Sequence, residues 1–379
     1  MNIVIAPDSF KGSITAKIAS EIMAKAVKEV LNDCTVKIMP MADGGEGTLE
    51  TLLVSASDSR RVRITCTGPL GENIDTYYGI VNGKTAIIEC ALIAGLTQVP
   101  EEHRNPEATT SFGIGEVIKD GLDKNCTSFI LGLGGSATND GGLGMLKALG
   151  MEVWDRNDKL LGPFGGDLFE VEKVSFEKLD SRLANVDFRV ACDVKNPLCG
   201  NSGASKVYGP QKGATPEQIV RFDQALMKYG ELIEKELGGS FRNIPGAGAA
   251  GGLGFALLAM GAKLESGAKL IADASNLEKH IKEADLVVTG EGQSDEQTLY
   301  GKAPGYVADL AAEHRVPVLL ISGSLSGKKD VLREKFAGCF SIIQSPLTLE
   351  ECFVNAEKML FEQTKQVFHL INSISEFKL

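Results

Sequence analysis

Phe129-Ile130-Leu131-Gly132-Leu133-Gly134-Gly135-Ser136-Ala137-Thr138-Asn139-Asp140-Gly141-Gly142 reads as an apolar strand running into a glycine-rich loop that opens a helix. Side-chain-free residues let the backbone approach an anion, and a helix terminus turns its N–H groups and dipole toward it. The stretch is therefore a candidate phosphate cradle and one beat of an α/β rhythm.

The same rhythm opens the chain. Asn2 to Ala6 is a continuous apolar run suited to a parallel strand buried on both faces. After Ser13 or Thr15 as cap, a helix is expected with Ile18, Ile22, Met23, Val27, Val30 and Leu31 on one side, then a strand at Val36 to Met39. From Arg61 three β segments follow, the last two joined by Asn82-Gly83, a pair that tolerates positive φ and marks a tight hairpin. Thr215-Pro216 starts a long helix ending at Gly238-Gly239. Beyond residue 283 strands are expected at Asp285 to Thr289, Pro317 to Ser322 and Cys339 to Gln344, with a final helix burying Phe353, Ala356, Leu360, Val367 and Ile371.

The economical fold is α/β: a Rossmann-like parallel-sheet domain formed by both chain ends, residues 1–60 and 283–379, with a mixed α/β domain, residues 61–282, inserted between them. Two crossovers then connect the domains, and an interdomain cleft is expected.

Composition narrows the function. With 379 residues, 43% hydrophobic and 23% charged, the chain can bury a large core. A net charge of −11 opposes broad nucleic-acid binding. The eight cysteines form no C-x-x-C pair, and with the unadorned N-terminus they read as reduced thiols of a cytoplasmic protein. Four histidines without an H-x-x-x-H pair speak against a zinc centre or a His-based nucleophile. The uncharged stretch 243–262 carries six glycines and Pro245, so it reads as a buried turn and helix, not a membrane span.

Ligands of open α/β sheets bind at the carboxyl ends of the strands. Those ends carry Asp8, Asp43, Asp140, Asp193 and Asp295 in glycine-containing loops, with Lys11, Lys195, Lys206, Lys212 and Lys302 nearby. A single Asp there is usually a helix cap. Several together repel unless a cation neutralises them, and Mg²⁺ shared with phosphate oxygens does so. Lysines beside them suit phosphoryl transfer, where positioning and charge neutralisation do most of the catalytic work. Gly246-x-Gly248-x-x-Gly251 also matches a dinucleotide fingerprint, but Phe241 to Pro245 is too short and interrupted to be its strand. An NAD(P)-dependent dehydrogenase and a non-catalytic nucleotide-binding sensor are the competing readings.

Seven segments carry a resemblance: Ala6 to Ser13 (APDSFKGS), Ala42 to Thr48 (ADGGEGT), Gly134 to Gly142 (GGSATNDGG), Cys192 to Leu198 (CDVKNPL), Gly209 to Ala214 (GPQKGA), Gly246 to Gly252 (GAGAAGG) and Thr289 to Gly292 (TGEG). In this order, over nearly the whole length, the chain resembles the bacterial type of glycerate kinase. The resemblance implies phosphorylation of D-glycerate by ATP with Mg²⁺, leaning to the 2-phosphoglycerate product, on a Rossmann-like domain interrupted by a second α/β domain. Two departures stand out: Gln293-Ser294 occupies the place where many members have an arginine before the aspartate, and Cys90 replaces a frequent Met.

On this reading glycerate is held by Asp8, Ser9, Lys11 and Asp43, with Lys11 on its carboxylate. Asp193 is the expected general base, and Lys195 offsets charge on the transferred group. Asp43, Glu291 and Asp295 are the expected Mg²⁺ ligands. Gly134, Gly135, Ser136, Asn139, Asp140, Gly248 and Lys212 are the expected nucleotide or phosphate contacts.

Overall fold

A computed structural model describes residues 1–56 and 58–376. Residues 57 and 377–379, which fall within the expected domain limits, lie outside the described residues. The chain divides into two compact units, one drawn from Met1–Asp43, Glu50–Ser57 and Gly267–Leu379, the other from Gly44–Leu49 and Asp58–Ser266. The first unit thus begins its second part at Gly267 instead of the expected residue 283. Helices Gly267–Ala274 and Leu277–Lys282 account for the difference: they bury Leu270, Ile271, Leu277 and Ile281 and pack against helix Ala303–Glu313 of the first unit.

In the first unit five strands form an all-parallel sheet in the order Gly338–Ser341, Val318–Ser322, Leu286–Thr289, Asn2–Ile5, Thr35–Ile38. The central strands are apolar on both faces, because helices cover both, whereas the edge strand Thr35–Ile38 alternates exposed and half-buried residues. The register pairs Ile3 with Leu286 and Ile5 with Val288. Numbered along the chain, the strand order is 2-1-3-4-5, so the winding reverses between Asn2–Ile5 and Leu286–Thr289.

Helix Ala16–Val30 starts where Thr15 Oγ1 accepts from the Ile18 N–H at 3.3 Å. Its buried face is Ala19, Met23, Ala26 and Val27, whereas Ile18, expected inside, is 38% exposed. The C-terminal pattern also divides: a short helix Leu349–Val354 precedes helix Ala356–Glu376. Ala356, Leu360 and Val367 are buried as expected, but Phe353 belongs to the short helix and is 45% exposed.

The second unit holds a six-stranded sheet in the order Lys263–Glu265, Asp187–Ala191, Ser128–Gly132, Thr85–Glu89, Asn73–Val81, Ser59–Thr67. The first four strands are parallel, and the last two extend the sheet antiparallel. Asn82 and Gly83 both have positive φ, 52° and 67°, as a tight two-residue turn requires. Helix Pro216–Leu237 is capped by Thr215 with Gln218 in a reciprocal box and stops at Gly238. It buries Phe222, Leu226, Tyr229 and Ile233; full burial of each large apolar side chain is worth roughly 1.5–3 kcal/mol. The uncharged stretch 243–262 ends in the buried helix Leu253–Ala259, and among the described residues no helix is long and apolar enough to cross a membrane.

Candidate active site

The reversal of winding in the first unit leaves two strand ends to diverge, and such a switch point is where doubly wound sheets bind ligands. Strand Asn2–Ile5 runs on to Pro7-Asp8-Ser9, and Leu286–Thr289 runs on to Gly290-Glu291-Gly292. The two are stitched together by the Asp8 N–H donating to the Gly290 carbonyl at 2.8 Å and by Thr289 Oγ1 donating to the Ala6 carbonyl at 2.8 Å. Here a cavity of about 520 Å³ opens, lined on its polar part by Asp8, Ser9, Lys11, Asp43, Glu291, Gln293, Asp295 and Lys302.

The acids of this cavity differ in environment. Asp8 is 7% exposed; burial first, then the neighbouring Asp43 charge, pushes its carboxyl up to about 7, while the Ser9 N–H at 2.6 Å and Lys11 act in the opposite direction. Lys11 Nζ donates to Asp43 Oδ2 at 3.0 Å, and this partner holds the amine above its ordinary value. Glu291 accepts from Ser294 Oγ at 3.0 Å and Thr298 Oγ1 at 2.6 Å through Oε1, with Lys302 Nζ 3.5 Å from Oε2. Asp295 Oδ1 accepts from the Gln297 N–H at 2.8 Å, a helix-capping role. Gln293, at the position of the departure from the family pattern, donates through Nε2 to Ser326 Oγ at 3.0 Å.

Among the described residues no three of His, Cys, Asp and Glu come together as a metal cage. Mg²⁺ carried on phosphates needs only one or two carboxylates and keeps several waters, so the donor set present fits it. Each of the three expected carboxylates already has a protein partner: Lys11 for Asp43, Ser294, Thr298 and Lys302 for Glu291, and the Gln297 N–H for Asp295.

In the second unit the loop after Ser128–Gly132 corrects the sequence reading. Asp140 points inward and is fully buried. Its Oδ2 accepts from the Ser111 N–H at 2.8 Å, Ser111 Oγ at 2.6 Å and the Gly144 N–H at 3.2 Å, and its Oδ1 from the Gly142 N–H at 3.1 Å. The start of helix Leu143–Ala148 is thus filled by the chain's own carboxylate and is not left for an anion. Burial pushes the Asp140 carboxyl up, against these hydrogen bonds.

Asn139 is also enclosed, donating through Nδ2 to Ser205 Oγ at 3.0 Å. Lys212, only 2% exposed, clamps the loop from inside, donating to Ser136 Oγ at 2.9 Å and the Thr138 carbonyl at 2.6 Å. Burial lowers its amine to about 8. Gly248 is buried with its N–H given to the Asn196 carbonyl at 2.9 Å.

The two glycine loops pack backbone to backbone, the Gly141 N–H donating to the Gly251 carbonyl at 2.9 Å. Gly251 has φ +68°, and a Cβ there would stand 2.0 Å from the Thr138 carbonyl oxygen. Close loop packing therefore accounts for the fingerprint-like glycines. Gly135 is the exposed residue of the first loop and Gly134 is half-buried beside it. Asp193 and Lys195 are exposed beyond strand Asp187–Ala191.

Lys302, expected near these loops, lines the cavity from the cap of helix Ala303–Glu313. Sequence reasoning missed two features. Glu89, 4% exposed, accepts from the Gly47 and Leu49 N–H groups at 3.2 Å each, so it satisfies the start of helix Thr48–Ser55. The apolar part of the cavity, with Leu349 and Phe353, had no sequence signal pointing to a ligand.

Known proteins are similar to this chain in sequence and, in one solved case, in fold. A glycerate 2-kinase of Escherichia coli is 45% identical over 94% of this chain and 94% of its own. A glycerate kinase of Haemophilus influenzae is 44% identical over 98% and 99%. A crystal structure of a protein from Salmonella typhimurium LT2 superposes with a TM-score of 0.90 at 41% identity, covering 99% of both chains. The family model for glycerate kinases matches residues 3–372. With that match spanning both units, and relatives at this identity aligned over almost their full length, the chain belongs to the glycerate kinase family.

Proposed function

We propose that the protein transfers the terminal phosphoryl group of ATP to D-glycerate, giving 2-phosphoglycerate and ADP. The observation that carries this reading is the switch-point cavity of the first unit, where Lys11 and Ser9 stand beside the buried, charge-crowded Asp8. Lys11 is the group for the glycerate carboxylate. As the acceptor oxygen bonds to phosphorus and the bridging P–O bond of ATP breaks, the hydroxyl proton passes to a carboxylate.

Asp193 is proposed as that base, with Lys195 offsetting charge on the transferred group. Asp8 is the second candidate, favoured because a carboxyl raised to about 7 lies near the optimum for general base catalysis at neutral pH. Asp43 and Glu291, with Asp295 in support, would hold Mg²⁺, which when bound neutralises phosphate charge. In the second unit the exposed Gly135 backbone and the adjoining Gly134 and Ser136 are the loop groups proposed to meet phosphate, with Lys212 and Asp140 shaping them from within.

Incubation with ATP, Mg²⁺ and D-glycerate followed by phosphorus NMR tests the reading. A 2-phosphoglycerate resonance is the expected product. A 3-phosphoglycerate signal overturns the regiochemistry, and no phosphoglycerate overturns the activity.

A further inference from the structure

The switch-point cavity has a second, chemically different lining that glycerate does not explain. Beyond the lysines and acids it is walled by Ile343, Leu349, Phe353 and Met359. Leu349 is 70% exposed and Phe353 45%, so both leave apolar surface open at the cavity wall. Every carbon of glycerate carries oxygen, so a three-carbon hydroxy acid gains nothing from such a wall and fills little of 520 Å³. An apolar, aromatic-bearing wall continuous with a few charged groups is the make-up of a site for a heterocyclic ligand. The Phe353 ring stands against the loop that carries Lys11, since a Cβ built on Gly12 would lie 3.5 Å from it. In doubly wound sheets ligands bind at the switch point, as a flavin mononucleotide does in one with strand order 2-1-3-4-5.

We propose that Ile343, Leu349 and Phe353 form the subsite for the purine ring of the nucleoside triphosphate, with the phosphates running toward Lys302. The assignment rests on the kinase reading above and adds where the nucleoside half of the donor is held. It also gives a purpose to the break between helices Leu349–Val354 and Ala356–Glu376, because the separate short helix holds Phe353 out at the cavity wall.

The test is Phe353→Ala in the full-length protein, at a half-exposed position where truncation leaves the core intact. Titration calorimetry with MgATP should show affinity about tenfold weaker or more, as expected for loss of one base-stacking aromatic. Binding of magnesium tripolyphosphate, which has no base, and the KM for D-glycerate should stay within about twofold of the parent. Phe353→Trp should restore ATP affinity. The assignment is overturned if ATP binds Phe353→Ala as tightly as the parent, or if ATP and tripolyphosphate weaken alike. Because ATP binding is measured directly, a parent protein that makes no phosphoglycerate removes the glycerate reading while the subsite is still decided.

Discussion

Replacing Asp8 by Asn should remove a loss of stability that the parent suffers as the solution becomes more alkaline, while damaging turnover. The Asp8 carboxyl moves from its ordinary value of 3.8 to about 7 in the fold, chiefly because it is buried. The folded state therefore holds this proton more tightly than the unfolded chain does. Between these two values the native state binds more protons, so unfolding free energy falls as pH rises. At about 1.4 kcal/mol per pH unit the ionised carboxylate costs the fold about 4 kcal/mol, of which about 2.5 kcal/mol develops between about pH 5 and pH 8.5. Asn keeps the shape, can accept the Ser9 N–H, and does not titrate.

Urea unfolding of both proteins across that range reads the effect as a difference curve. The stability of Asp8→Asn relative to the parent should climb by about 2.5 kcal/mol, a midpoint shift of roughly 1 M at an m-value of about 2.5 kcal/mol/M. It should level off above about pH 8. A difference flat to within about 0.5 kcal/mol would refute the reasoning, because burial would then impose no cost on the charge. A difference that falls with pH would show Lys11 overcoming burial. Stability gained where activity is lost is the usual signature of a group retained for chemistry.

Other substitutions separate the remaining roles. Asp193→Asn should lower kcat by about 10²-fold or more with little change in the KM for glycerate, and near-normal turnover assigns the proton to Asp8 instead. Lys11→Met should raise the KM for glycerate strongly; an unchanged value removes the proposed carboxylate contact. Gly251→Ala should destabilise the protein by about 2 kcal/mol or more in denaturant titrations, since it combines positive φ with a Cβ 2.0 Å from a carbonyl oxygen. A loss below about 0.5 kcal/mol would mean the two glycine loops separate easily. Asp140→Asn should lower stability with or without ATP, because both Asp140 oxygens accept from backbone N–H groups of Ser111, Gly142 and Gly144 and an amide NH₂ in place of either would face a donor, a clash that Asp8→Asn avoids. A variant as stable as the parent would overturn that role.

Much of the fold was legible in the sequence because its signals are local. Apolar residues Ile3, Val4, Ile5 and Leu286, Val287, Val288, the Thr215 cap with Gln218, and Asn82-Gly83 each specify backbone geometry through neighbours a few residues away. The glycine motifs were equally plain, but their purpose was not. A glycine that admits a phosphate and one that admits another backbone have the same sequence, and only packing showed that Gly248 and Gly251 serve the second purpose. The bland expectation for a lone Asp, a helix cap, describes Asp140 and Asp295 well.

By itself, then, the sequence determined an α/β chain with parallel strands, the family to which its motifs point, and the acids and lysines at the strand ends. Tertiary structure alone decided which of them meet. The strand order 2-1-3-4-5 draws Asp8 and Glu291, some 280 residues apart in the chain, to one switch point. Burial there lifts Asp8 toward neutrality, and burial elsewhere takes Asp140 and Lys212 out of solvent. Desolvation and proximity belong to three-dimensional surroundings, so residue types and spacing do not encode them locally.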